Sequence, residues 1–126
     1  MLGLSRRAWF TTGTFASTGL PDASVHAVAS EDALQYAPDK RAAFVEAARI
    51  LRQGGRLVFT AFELEPERVA GLPIFGTDPV SDYRHILEAS GFAVSSYEEV
   101  PGWPEPMGAA YRALAAERDA LVREMG

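Results

Sequence analysis

The spacing of apolar residues changes twice between Ser24 and Phe62, and the changes predict a strand, a loop, a helix and a second strand. Val25–Ser30 is a short apolar run of strand length. After it, four apolar residues recur at positions i, i+3, i+4 and i+7, which places them on one helical face: Phe44, Ala47, Ala48 and Leu51. Arg56–Phe62 then has the pattern of a parallel strand that is buried on both faces. This order predicts a right-handed βαβ unit.

Short polar and glycine-containing segments predict where these elements begin and end. Asp39 stands where a helix N-cap is expected. Gly54-Gly55 follows the last helical residues, where a left-handed C-cap glycine belongs. The polar loop Glu31–Pro38 follows the first strand, so we expect it at the carboxyl edge of the sheet, where open parallel sheets bind ligands.

The flanking segments predict two further strands and two further helices. Ala8–Gly13 and Phe92–Val100 have the content of strands, the second with the mixed polarity of a sheet edge. Asp78 is predicted to cap a helix that has Pro79 in its first turn and ends at Gly91. A long helix is predicted from Met107 to Met125, with an apolar stripe that suits a core or a subunit interface.

Composition narrows the class of protein. The chain has 126 residues, which predicts one domain over residues 1–126. A net charge of −5 argues against a nucleic-acid-binding surface. There is no cysteine for a disulfide, a thiolate metal site or a nucleophile, and no apolar run approaches membrane length. A cytoplasmic enzyme is the default interpretation.

Three blocks of the sequence together resemble a known protein family, because they occur in the order and at the spacing found in that family. They are LPDASVHAV at Leu20–Val28, DALQYAPD at Asp32–Asp39 and ARILRQGGRLV at Ala48–Val58. Together they resemble the second half of a class I S-adenosylmethionine-dependent methyltransferase, and a looser similarity runs from about Leu2 to the C-terminus. The resemblance implies an α/β, Rossmann-like fold in partial form, with a mostly parallel sheet flanked by helices.

The resemblance also implies a site for the cofactor S-adenosylmethionine. Thr14 matches a position where the family usually has an aspartate that accepts a hydrogen bond from the adenine amino group, and the uncharged hydroxyl should form a weaker bond. Phe15 matches a residue that borders the adenine ring. The alternative is that Thr14 and Phe15 only end a strand.

The loop after the first strand is expected to complete this site. Ser30 and Glu31 should face the methionine end of the cofactor. Gln35 should bind the cofactor near its reacting methyl group. Asp32 and Tyr36 should border a small-molecule substrate. The alternative is a polar loop without a ligand, in which Leu34 packs into the core; for Leu34 this alternative is favoured. The family places a substrate-covering loop near Gly71–Thr77.

Two features point away from a complete enzyme. The sequence contains no glycine-rich turn of the type that begins such cofactor sites, and Gly54-Gly55 cannot replace it because it ends a helix. Removal of the family's first two strands would expose strand edges, and exposed edges recruit other chains. We therefore expect a new strand order, a homo-oligomer or a strand-exchanged dimer.

Two functions remain open. The first is a small-molecule methyltransferase in truncated form, with no catalytic base that the sequence identifies. The second is a non-catalytic binding or assembly module that keeps the scaffold. The carboxylates of Glu63, Glu65 and Glu67 have no fixed geometry in the sequence and are interpreted as a solvated loop rather than a metal site.

Overall fold

The computed structural model describes residues 7–73 and 78–125. Its regular elements are β1 (Val25–Glu31), a 3-10 turn (Leu34–Tyr36), α1 (Lys40–Ile50), β2 (Leu51–Thr60), α2 (Pro66–Val69), α3 (Arg84–Ala89), α4 (Pro104–Ala116) and α5 (Arg118–Met125). The chain forms two compact units, residues 1–95 and 96–126.

The predicted βαβ unit is confirmed. β1 and β2 are hydrogen-bonded neighbours that run in the same direction, and α1 is the crossover between them. The register pairs Ala27 with Arg56 and continues regularly to Glu31 opposite Thr60. It is irregular between Val25 and Ala27. The carboxyl ends of both strands therefore lie together at one edge of the sheet.

The N-terminal boundary of α1 is as predicted, whereas its C-terminal boundary is not. The Asp39 side chain accepts a hydrogen bond from the N–H of Ala42, which confirms the cap. The helix ends at Ile50, so Leu51 begins β2 instead of completing the helical face. The N–H of Ser24 donates to the carbonyl of Ile50 at 2.8 Å, so the start of β1 satisfies a terminal carbonyl of the helix.

Gly54-Gly55 therefore lies inside β2 and is not a helix C-cap, which corrects the sequence prediction. Gly54 does have the positive φ that favours glycine, at 76°. At Gly55 a Cβ atom would lie 2.7 Å from the carbonyl oxygen of Arg52 and 3.1 Å from that of His26. The two glycines thus bring β2 close to β1 at the irregular end of the sheet.

The hydrophobic core lies between one face of the sheet and the helices α1 and α3. Phe44 is fully buried, and its ring centroid lies 5.4 Å from that of Phe59 and 6.0 Å from that of Tyr83. On the opposite face of the sheet, Val58 is 66% exposed. The prediction that the second strand is buried on both faces is therefore wrong.

Neither flanking strand forms. Residues 8–13 have no regular structure, and Trp9 and Phe10 are 81% and 97% exposed. Residues 92–100 are also irregular. A strand is stable only when another strand pairs with its backbone groups, and in the described part of the chain only β1 and β2 form a sheet.

The helix that was predicted to begin at Asp78 begins later. α3 starts at Arg84, with Tyr83 in the N-cap position, and Asp78 instead accepts a hydrogen bond from the N–H of Lys40 at the start of α1. Of the predicted substrate-covering loop at Gly71–Thr77, residues 74–77 lie outside the described residues.

In the second unit, the single long helix of the prediction is divided into α4 and α5. The break is at Glu117, whose φ of −93° and ψ of 7° depart from helical values. No residue of α4 is buried, so Tyr111 and Leu114 of the predicted stripe are exposed in this unit. Among the helices of the described residues, none is both long and apolar enough to cross a membrane.

Candidate functional site

A cavity of about 700 Å³ lies on the helix side of the sheet. The loop before β1 forms one wall and β1 with β2 forms another, while α1 and its leading loop form the third. Its lining residues are Gly13, Thr14, Phe15, Ala16, Thr18, Val28, Ala29, Ser30, Leu34, Pro38, Asp39, Ala43, Phe44, Ala47, Ile50 and Leu57. This size falls in the range of small-molecule sites, about 300–1,000 Å³.

Three of the predicted cofactor residues, Thr14, Phe15 and Ser30, line this cavity. Thr14 and Ser17 exchange backbone hydrogen bonds of 2.9 and 3.2 Å, which folds the loop into a tight turn that presents Phe15. The sequence predicts Ser30 on a different element, 15 positions after Phe15. In the folded chain the two residues line the same cavity.

Glu31, Asp32, Gln35 and Tyr36 are not among the lining residues. Glu31 is the last residue of β1 and is exposed, as is the side chain of Tyr36. Gln35 is fully buried, and its Nε2 donates to the carbonyl of Asp32 at 2.8 Å. Its Oε1 is a buried acceptor with no hydrogen-bond donor. Leu34 is buried, as the alternative interpretation of the loop predicted.

Asp32 joins the carboxyl ends of the two strands. Its N–H donates to the backbone carbonyl of Thr60 at 3.0 Å, and the Thr60 hydroxyl donates to its carboxylate at 2.9 Å. Asp32 has a positive φ of 46°, which is uncommon for a residue other than glycine. These bonds hold the start of the loop against β2 and so fix where the polar loop leaves the sheet.

The residues that line the cavity offer little acid–base chemistry. Asp39 is the only ionisable residue among those that line it, and its carboxylate already caps α1. The other polar side chains on the wall are the hydroxyls of Thr14, Thr18 and Ser30. Apolar walls with a few hydroxyl groups are typical of small-molecule sites.

Sequence reasoning missed a charged pair on α1 that reaches the loop of the cavity. Glu46 is 7% exposed and receives hydrogen bonds from Arg49 and from Thr18. The bonds from Arg49 and then those from Thr18 lower the pKa of Glu46 to about 2. The same pairing raises the pKa of Arg49 above its usual value. Opposite charges at positions i and i+3 of a helix could have predicted the pair of Glu46 and Arg49. The hydrogen bonds from Thr18 could not be predicted in this way, because Thr18 lies 28 positions from Glu46.

Lys40 is a second buried charge beside the site. Its Nζ donates to the carbonyl of Ala37 at 2.8 Å. Burial lowers the pKa of Lys40, and the carboxylate of Asp78 opposes this effect. The Nζ of Lys40 is therefore held by a backbone carbonyl, while the nearby carboxylate of Asp78 favours its charged form.

The three carboxylates considered in the sequence, Glu63, Glu65 and Glu67, do not gather with other ligands. Within residues 7–73 and 78–125, no group of three or more His, Asp or Glu side chains is placed to hold a metal ion.

Comparison with known proteins gives a family match and two relatives. The family model described as "Methyltransferase domain" matches residues 4–59. The chain is 26% identical over 121 residues to a dimethylglycine N-methyltransferase of Parasynechococcus marenigrum (strain WH8102), which is 96% of this chain and 40% of that protein.

The second relative is a 27-O-demethylrifamycin SV methyltransferase of Amycolatopsis mediterranei (strain S699). It is 32% identical over 115 residues, which is 82% of this chain and 41% of the relative. The chain thus spans about two-fifths of the length of the curated relatives it matches. No solved structure matches it significantly.

Proposed function

We propose that the chain is part of a class I S-adenosylmethionine-dependent methyltransferase and forms part of the cofactor site of an enzyme that methylates a small molecule. The observation that carries the proposal is the cavity in which Thr14, Phe15 and Ser30 meet. These residues come from two separate segments that the family resemblance had assigned to one ligand.

The lining fits the adenosine portion of the cofactor. Phe15 would contact the adenine ring, and the hydroxyl of Thr14 would accept a hydrogen bond from the adenine amino group. Ser30 would face the methionine portion, with Glu31 next to it at the exposed end of β1, whereas Gln35 is buried outside the cavity wall. When bound, S-adenosylmethionine would supply an electrophilic methyl group to a nucleophilic acceptor, with the neutral thioether as the leaving group.

In such a reaction this chain would position the cofactor and the methyl acceptor relative to each other. Asp32 and Tyr36 stand at the carboxyl edge of the sheet, where we place the acceptor. Orientation of two reactants at the distance of attack supplies a large part of the rate enhancement in a bimolecular reaction. Since the cavity wall holds no free acid or base, the proposal assigns no proton transfer to it.

The relatives favour a small-molecule acceptor. Their names specify N-methylation of dimethylglycine in one case and O-methylation of a rifamycin in the other. Because the two acceptors differ in size and in the attacked atom, the proposal is confined to the small-molecule class. Both names favour methyl transfer over the non-catalytic assembly module.

We also propose that the sheet is completed by another polypeptide, in the simplest case a second copy of this chain. Within the described residues, β1 and β2 each have one unpaired edge, and the face that carries Val58 is uncovered. Unpaired edges pair readily with other strands. Sedimentation equilibrium should detect a dimer that Val58→Lys weakens, whereas Val45→Lys on the exposed side of α1 should not weaken it. A monomer at all concentrations would contradict this.

Calorimetric titration with S-adenosylmethionine tests the cofactor site. We expect micromolar binding that Ala47→Phe weakens by about tenfold or more, because the new ring occupies the cavity. Val45→Phe is the matched control, since Val45 lies on the same helix, is 49% exposed and does not line the cavity. Absence of heat at millimolar ligand, or equal effects of the two variants, would overturn the proposal.

A further inference from the structure

The loop that carries Thr14 and Phe15 is attached to α1 by one carboxylate. The N–H of Thr18 donates to Oε1 of Glu46 at 2.8 Å, and the hydroxyl of Thr18 donates to the same oxygen at 2.7 Å. The Thr18 hydroxyl also accepts from the N–H of Leu20 at 3.2 Å. Glu46 thus fixes the end of the turn whose start presents Phe15 to the cavity.

Arg49 extends this attachment towards β1. Its Nε donates to Oε2 of Glu46 and its Nη2 to Oε1, both at 2.7 Å. Nη2 also donates to the carbonyl of Leu20 at 2.7 Å, and Nη1 is paired with the carboxylate of Asp22. Glu46 and Arg49 therefore hold three successive points of the loop against α1.

The Glu46 carboxylate is saturated with donors. It accepts from two nitrogens of Arg49 and from the backbone and hydroxyl of Thr18. An ionised carboxylate accepts about four hydrogen bonds, whereas the amide of glutamine has one accepting oxygen and a donating nitrogen. Glutamine at this position would thus turn a donor towards either Thr18 or Arg49.

The position of Glu46 on the helix links this attachment to the cavity. Ala43 and Ala47, which flank it on α1, line the cavity, as do Thr14 and Thr18 on the loop. The attachment therefore sets the separation between two walls of the same space. The loop has few other restraints, since the hydrogen bonds between Thr14 and Ser17 lie within the turn itself.

We infer that Glu46 is a positioning residue that, with Arg49, holds the Thr14–Phe15 wall at the distance from α1 at which the cofactor's adenosine portion fits. This inference rests on the proposed function and adds a residue outside the cavity wall to it. Glu46 does not touch the ligand, and its effect on affinity passes through Thr18.

Amide hydrogen exchange and ligand binding together test the inference. In the ligand-free chain, Glu46→Gln should accelerate exchange of the Thr18 amide by about tenfold or more, while amides of β1 and β2 that pair across the sheet keep their rates. The dissociation constant for S-adenosylmethionine should rise by about tenfold. Arg49→Lys, which keeps the charge but loses the fork of donors, should give smaller changes in the same direction.

Glu88→Gln is the matched control, because Glu88 is an exposed glutamate on α3. It should leave both the Thr18 amide and the affinity unchanged. Circular dichroism must show that every variant is folded, so that a change confined to residues 13–20 is separated from general destabilisation.

Three results would overturn the inference or separate it from the proposed function. Unchanged exchange at Thr18 in both Glu46→Gln and Arg49→Lys shows that no such attachment operates. Faster exchange with unaltered affinity shows that the attachment does not position the ligand. A wild-type chain that binds no S-adenosylmethionine overturns the proposed function and the ligand-positioning role with it, while the exchange rates still show whether Glu46 attaches the loop to α1.

Discussion

Asp78 and Lys40 are joined by a hydrogen bond from the backbone N–H of Lys40 to Oδ2 of Asp78, at 2.8 Å and across 38 positions of sequence. Lys40 is the first residue of α1, so its N–H has no partner within the helix. Asp39 caps the N–H of Ala42 in the same turn. Two carboxylates thus stabilise the helix that forms one wall of the cavity, and one of them belongs to a distant segment.

Replacement of Asp78 tests this distant cap. Asp78→Ala should lower the free energy of unfolding by about 1–2 kcal/mol, because the N–H of Lys40 loses its acceptor and alanine tolerates the positive φ of 53° poorly. Asp78→Asn keeps an acceptor and suits that backbone, so it should cost only a few tenths of a kcal/mol. Urea unfolding measures both, and equal losses would contradict the cap.

Two glycines should respond in opposite ways to alanine. Gly55→Ala should destabilise the chain by at least about 1 kcal/mol, because its Cβ would lie 2.7 Å from the Arg52 carbonyl oxygen. Gly108→Ala lies inside α4 and meets only the flexible end of Arg112, at 3.2 Å. It should increase helix stability by about 0.5–1 kcal/mol. Thermal unfolding of the two variants provides the comparison, and a tolerated Gly55→Ala would refute the close approach.

Glu46 should make stability depend on acid pH. Its pKa falls from the usual value near 4.5 to about 2 in the folded chain, chiefly through hydrogen bonds from Arg49. A lowered folded-state pKa stabilises the native state above the unfolded pKa, and this contribution is lost as the pH falls towards about 2. The difference in unfolding free energy between wild type and Glu46→Gln should therefore shrink between about pH 5 and about pH 3. A difference that stays constant across this range would exclude the ionised pair.

The aromatic cluster under the sheet offers a fourth test. Tyr83 is 2% exposed, and its hydroxyl donates to the Phe62 carbonyl at 3.3 Å. Tyr83→Phe keeps the ring contacts with Phe44 and Phe59 and should cost about 1 kcal/mol for the lost bond. Tyr111→Phe is the control, since Tyr111 is 65% exposed and should change stability by less than about 0.5 kcal/mol. Equal changes in stability for the two variants would show that the hydrogen bond of the buried Tyr83 hydroxyl does not stabilise the fold.

Part of the site was predictable because the family resemblance and the strand pattern agreed. The resemblance placed Thr14 and Phe15 beside a cofactor, and Ser30 was expected at the carboxyl end of a strand; all three line one cavity. The surroundings of Gln35 were not predictable, since burial of a polar side chain depends on which elements close over it. Glu46 was missed for the same reason, because its partner Thr18 is remote in sequence.

The sequence by itself determined the βαβ unit and the start of its helix. Apolar residues at strand and helix spacing specify Val25–Glu31 and α1, and Asp39 caps Ala42 from only three positions away. These are short-range effects, so they can be inferred from neighbours in the chain.

Only the tertiary structure decided which other segments join the sheet and which groups meet the helix. Residues 8–13 and 92–100 have strand-like composition but remain irregular, because a strand needs hydrogen-bond partners that composition does not provide. Asp78 caps α1 instead of the helix that follows it, because folding brings the N–H of Lys40 at the start of α1 within its reach. Contacts between distant segments depend on the position of the whole backbone, which no local pattern encodes.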